Sequence, residues 1–198
     1  MANKSIEAWE TIMSTTAKPE AAASTYNPDE DGVTHVNVFT RGKVKLGRDL
    51  SNFQECNIDH PYFGRFRTLE GLWFYIKTGC NEEMFRIMNG HDCRKKGKIM
   101  TNVQYPLFTK MFKLGMIEKL EKNQQLQEEL KANTLPLVHY YNYAGAVHVP
   151  QRHEWQIEFW QNLRENLLAA GTLEMARSEL KSFIDRALAQ EKNQVDSE

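Results

Sequence analysis

Apolar residues recur at helical spacing along the second half of the chain. Residues 107–120 carry Phe108, Met111, Phe112, Met116 and Ile117, and residues 123–131 carry Leu126 and Leu130. Residues 154–169 carry Trp155, Phe159, Trp160, Leu163 and Leu167, and residues 173–190 carry Leu173, Leu180, Phe183, Ile184 and Ala187. Intervals of three and four gather such side chains on one face, so each stretch is predicted to be an amphipathic helix packed on a core. Gly171 is placed to end the third of them. The first half reads differently. Val36 and Val38 alternate with His35, Asn37 and Phe39, which predicts a strand over residues 34–39. Further extended runs are predicted over 53–58, 62–67 and 134–141, and a helix capped by Asn81 over 81–89. Residues 41–48 read as a basic turn, 92–98 as a basic solvated face and 142–151 as a loop. Ser5 is placed to cap a short helix over 5–13, followed by an Ala-, Ser-, Thr- and Pro-rich linker over 14–32.

The densest apolar run is Glu70-Gly-Leu-Trp-Phe-Tyr-Ile-Lys77, within residues 49–80. Thr68 is a fitting N-cap and Gly79 a fitting stop, so a helix is predicted between them. Glu70 and Lys77 lie two turns apart and share one face with Phe74, while Leu72 and Ile76 fall opposite. The rise between the two charges is about 10 Å, beyond the usual helical ion pair. Two readings stand side by side. Glu70 in the first turn and Lys77 in the last suit the helix dipole, as ordinary end charges do. In a poorly solvated pocket the same pair is an amine nucleophile beside a carboxyl that moves protons.

The chain has 198 residues and a formal net charge of −1, so no global field draws it to nucleic acid or to an acidic membrane. Its hydrophobic share of 41% and charged share of 26% are those of a globular protein. Its three cysteines form no C-x-x-C pair, which gives neither a disulfide framework nor a zinc ribbon and fits a cytoplasmic, reducing setting. No apolar run approaches a membrane span, and residues 1–13 lack the apolar core of a signal peptide. Phosphate-loop, dinucleotide-loop, zinc-protease and nucleophile-elbow motifs are missing, and His148 and His153 are not at zinc spacing. No metal, cofactor or membrane partner is therefore expected. The Met and aromatic stripe of 107–120 reads as core rather than as a cofactor box. Arg41, Lys43, Lys45 and Arg48 can grip phosphate or simply form a wet loop. His139, flanked by apolar residues, is either a site residue or a hydrogen-bonded structural one.

Leu50-Ser51-Asn52-Phe53, followed by a strand-like run and then Glu70 and Lys77 as E-x6-K, resembles the core motif of the NADAR family of N-glycosidases. Residues 88–97 are similar to that family's helix ending in a basic-Gly step, and the likeness spans residues 36–168. The resemblance implies an α+β, predominantly helical domain over 33–170 with a small sheet beside its pocket. Residues 1–32 would then be an arm and linker, and 171–198 a C-terminal helix with a frayed tail. It implies cleavage of an N-glycosidic bond in an ADP-ribosylated base, carried free or in modified nucleic acid, or in a ribosyl nucleotide. Lys77 would form a Schiff base with the opened sugar, and Glu70 would carry the proton. Ser51, Asn52, Phe53, Arg48, Phe74 and His139 would hold the ligand, and no metal or cofactor would be needed. Three departures stand out. Family members often place His after the Glu, where this chain has Gly71, and an acidic residue where this chain has His139. The family's following Gly-rich stretch is replaced by His153-Glu154-Trp155-Gln156-Ile157. A ligand-holding descendant without catalysis and a helical interaction domain are the alternative readings.

Overall fold

The computed structural model describes residues 26–143 and 146–195. The helix expected over 5–13 and most of the linker lie outside them. The fold is α+β and mostly helical. Among the described residues it has seven α-helices and six short strands: β1 (Val36–Asn37), α1 (Lys45–Leu50), β2 (Glu55–His60), β3 (Gly64–Thr68), α2 (Leu69–Lys77), α3 (Gly90–Gly97), α4 (Phe108–Glu121), α5 (Gln124–Ala132), β4 (Leu137–Val138), β5 (Tyr141–Tyr143), β6 (Ala146–His148), α6 (Glu154–Ala170) and α7 (Glu174–Val195). None of these helices is long and apolar enough to cross a membrane.

The strands form three two-stranded sheets. β1 pairs with β4 in parallel, β2 with β3 antiparallel, and β5 with β6 antiparallel. The strand predicted over 34–39 is cut to two residues. His35 and Asn37, which the alternation sets on the face opposite Val36, are buried as it is. Asn37 explains why. Its amide donates to the Tyr140 carbonyl (3.2 Å) and accepts from the Tyr140 N–H (3.1 Å), continuing by side chain the pairing that the backbone ends. In β2, Asn57 takes a positive φ of 47° where the register slips between Glu55 and Ile58. That bulge re-aims the strand so that Ile58 and His60 both point inward. His60 is a structural residue: it donates from Nε2 to the Met111 carbonyl (2.9 Å), and burial lowers its pKa to about 4.

α4 is the core helix. Met111, Phe112, Leu114, Met116, Ile117 and Leu120 on it are all sealed from solvent. It packs against β2, α2 and α7. α7 lies along it with Ile184 buried, as is Leu173 just before the helix begins, and Arg177 pairs with both Glu118 and Glu121 of α4. At the other end Tyr62 Oη donates to Asp185 at 2.6 Å. Residues 26–32, on the domain side of the expected linker, also pack: Tyr26 stacks on Tyr140 with centroids 5.5 Å apart, and buried Asp31 accepts from the N–H groups of Asn37 and Lys43.

Three local expectations are corrected. The basic turn expected over 41–48 contains α1, because Leu46 and Leu50, one turn apart, both go into the core. The helix expected over 81–89 is a single 3-10 turn at Glu83–Arg86, with Phe85 buried and Ile87 left 75% exposed. The helix instead begins later, as α3, where the Asn89 side chain accepts from the Asp92 N–H at 3.0 Å. The loop expected over 142–151 contains the β5–β6 hairpin and a 3-10 turn at Gln151–His153.

Candidate functional site

β3 runs into α2 without a loop. Thr68 is at once the last strand residue and the helix N-cap, its Oγ1 accepting from the Gly71 N–H at 3.0 Å. At the far end Gly79 adopts φ +84°, and the Cys80 N–H reaches back to the Tyr75 carbonyl at 2.9 Å. The predicted helix is therefore observed with both of its predicted ends. Leu69, Leu72 and Ile76 are fully buried on one side. Glu70, Trp73, Phe74 and Lys77 line a cavity of about 270 Å³ on the other.

The carboxyl and the amine thus open into one hollow. Glu70 is 7% exposed, and burial raises its pKa to about 7 against the pull of Arg94, Arg152, Lys77 and Lys98. None of those cations pairs directly with it among the described residues. Lys77 is half-buried, with Nζ 5.8 Å from the centroid of the Trp73 ring. A carboxyl that keeps its proton near neutrality is suited to give that proton to a leaving group.

The Ser51-Asn52-Phe53 turn forms the adjoining wall. It is held from two sides. The Glu70 N–H donates to the Asn52 carbonyl at 2.8 Å, and Lys119 donates from Nζ to the Ser51 carbonyl at 2.7 Å. Lys119 is only 1% exposed, and burial lowers its pKa. Asn52 goes on to a side-chain chain: its amide meets the Gln156 amide at 3.0 Å, which meets His153 Nδ1 at 3.1 Å, whose Nε2 accepts from Arg152 Nε at 3.2 Å. Burial drops the His153 pKa to about 4, with His139 and Arg152 adding to the effect.

His139 lines the cavity too. Its Nδ1 contacts the Val38 carbonyl at 2.8 Å. A carbonyl only accepts, so Nδ1 carries the proton and Nε2 keeps its lone pair. Burial lowers the His139 pKa, which favours the same neutral ring. The opposite rim comes from α3. Gly97 has no room for a Cβ, which would lie 2.0 Å from the Phe74 ring, and this close approach brings Arg94 and Lys98 to the cavity. The Arg94 guanidinium lies 5.7 Å from the Phe53 centroid and 5.8 Å from that of Tyr141.

Comparison of the chain with family models, with curated proteins and with solved structures gave no match. The site therefore stands on its own geometry. Of the residues singled out in the sequence, Glu70, Lys77, Phe74, Ser51, Asn52, Phe53 and His139 line the cavity. Arg48 does not. Its guanidinium turns back to the Gly42 and Lys43 carbonyls at 2.9 and 2.6 Å, where it braces the start of α1. Arg94, Lys98, Arg152, His153 and Gln156 also line the cavity, though the sequence reading did not assign them to the site. The i, i+4 spacing of Arg94 and Lys98 was the available signal, hidden inside a run of basic residues. Among the described residues no group of three His, Cys, Asp or Glu side chains is placed to hold a metal ion.

Proposed function

We propose that the protein is an N-glycosidase acting on an ADP-ribosyl or ribosyl-nucleotide substrate, with an ADP-ribosylated nucleobase as the favoured form. The observation that carries this reading is the shared cavity of Lys77 and Glu70, with Glu70 protonated up to about pH 7. The resemblance of Ser51-Asn52-Phe53 and E-x6-K to the NADAR motif supplies the bond to be cleaved. In the proposed reaction the Lys77 amine adds to the anomeric carbon of the ribose, the C–N bond to the base breaks, and the Glu70 carboxyl passes its proton to the departing nitrogen. Opening of the ribose ring leaves a Schiff base on Lys77. Water added across that imine returns the free amine and releases the sugar. Arg94, Arg152 and Lys98 give the cavity a cationic rim suited to phosphate oxygens.

The test is incubation with an ADP-ribosylated guanine nucleoside or oligonucleotide. ADP-ribose should be released, Lys77→Ala should abolish release, and borohydride should trap the sugar on Lys77. In Glu70→Gln the rate should fall by about 10²-fold or more, the usual scale of a lost general acid.

One observation favours a second reading, a module that holds the ligand without cleaving it. A Cβ at Gly71 would lie 2.2 Å from the Phe85 carbonyl, so the His that often follows the family Glu has no space in this fold. Ligand binding without turnover, with Lys77→Ala unchanged in affinity, would decide for that reading.

A further inference from the structure

The polar chain behind Asn52 has only one consistent proton arrangement. An arginine guanidinium donates and never accepts. Arg152 Nε–H therefore requires a lone pair on His153 Nε2, 3.2 Å away. The ring is neutral, so its one proton must then sit on Nδ1. That proton needs an acceptor, and the group 3.1 Å from Nδ1 is the Gln156 amide. Gln156 is 6% exposed, so a clash of two donors there would be costly. Amide oxygen and nitrogen trade places by a half-turn and are assigned by the network around them. As oriented in the structure, Asn52 Nδ2 donates to Gln156 Oε1 and Gln156 Nε2 faces His153 Nδ1. Both amides must take the half-turn, so that Gln156 presents its oxygen to His153 and its NH2 to Asn52. Across the 3.0 Å contact between the two amides, Asn52 must then offer its oxygen. What remains of the Asn52 amide, the NH2 group, is left for the cavity.

We propose that Arg152, through His153 and Gln156, fixes Asn52 as a hydrogen-bond donor toward the cavity, so that the site selects ligands placing an acceptor oxygen at this wall. Arg152, His153 and Gln156 are positioning residues here, and Asn52 is the group that meets the ligand. The ligand part rests on the proposed function above; the proton arrangement does not. The wall also makes chemical sense of its surroundings. Lys77, Arg94, Arg152 and Lys98 are all donors, and burial raises the Glu70 pKa to about 7, so a large share of that carboxyl also keeps its proton near neutral pH. A ligand end rich in carbonyl, hydroxyl or phosphoryl oxygens is matched there, and an exocyclic amine at the Asn52 wall is not.

The experiment is a ¹⁵N–¹H correlation spectrum of the histidine rings in the full-length protein at pH 7. His153 should appear with Nδ1 as the protonated nitrogen and Nε2 as the bare one. Arg152→Met removes the one group among the described residues that demands a bare Nε2, so the Nε2–H form should gain population. Gln156→Glu offers an acceptor but no donor to Nδ1, so His153 should stay in the Nδ1–H form. A wild-type His153 protonated on Nε2, or a change of tautomer in Gln156→Glu, overturns the proposal. The second measurement adds ADP-ribose as probe and follows the Asn52 side-chain NH2 protons, which should exchange with water several-fold more slowly when the probe is bound. Bound probe with unchanged exchange removes the selectivity part. If ADP-ribose does not bind at all, that failure falls on the proposed function, and the tautomer result still decides the proton arrangement.

Discussion

Glu70 ionises in the unfolded chain near its ordinary 4.5, whereas in the fold burial keeps the proton on until about pH 7. Below pH 4.5 both states carry the proton and nothing is lost. Between 4.5 and 7 the unfolded state releases its proton and the folded state does not, so stability falls as pH rises and levels off above 7. The full loss is roughly 3 kcal/mol, from about 1.4 kcal/mol per pH unit. Glu70→Gln should remove this penalty. Urea denaturation should find the variant close to the parent at pH 4 and more stable by roughly 1–3 kcal/mol at pH 8. A gain in stability together with a slowing of the proposed cleavage would mark Glu70 as kept for that reaction at a cost to the fold. Its raised pKa was not readable from the sequence. Phe74 and the E-x6-K spacing predicted a shared face, but the apolar depth around the carboxyl depends on residues that come from distant parts of the chain.

At the scale of elements, α2 and α3 supply two sides of the cavity, and Gly97 sets how closely they approach. Gly97→Ala would drive a methyl into the Phe74 ring, since the Cβ position is 2.0 Å from Cδ1. The α3 helix must shift outward, at a cost of about 1–3 kcal/mol for an overpacked core. Thermal melting should show the loss, and ligand affinity should fall with it because Arg94 and Lys98 move with α3. The same contact explains what was legible. α2 announced itself by a cap, a stop and a face, all local signals. α3 carries Gly90, His91, Asp92, Arg94, Lys95 and Lys96, with Cys93 its only apolar residue turned fully inward. No periodicity marks such a helix. It is made by the Asn89 cap and by glycine contacts to Phe53 and Phe74, which require the tertiary structure to be seen. The β5–β6 hairpin was hidden for a related reason: it is three residues a side and half polar.

Across the whole molecule, α4 ties the site to the C-terminal helix. Its buried Glu118 carboxylate, 8% exposed, is paired from outside by Arg177 of α7. Arg177→Ala should leave that carboxylate buried without its partner and cost about 2 kcal/mol or more, measured by urea denaturation. Replacing Glu118 by Gln in the same chain should return part of the loss, since the amide carries no charge to strand. The predicted helical pattern of 173–190 foresaw an amphipathic face here, and Leu173 and Ile184 are buried as that face requires, while Phe183, expected on the same face, is left 44% exposed. The pairing of Arg177 with two glutamates could not be foreseen, because it depends on how the two helices are docked.

α4 also supplies the lysine that holds the Ser51 carbonyl from behind. Two amines thus bear on one site, Lys77 opening on the hollow and Lys119 walled in behind the turn that lines it. A small acylating reagent should modify Lys77 in the native protein within its ordinary reaction time and leave Lys119 untouched until the fold opens locally. The lag between the two marks, read by peptide mass spectrometry, would serve as a clock for how often the floor of the hollow lifts.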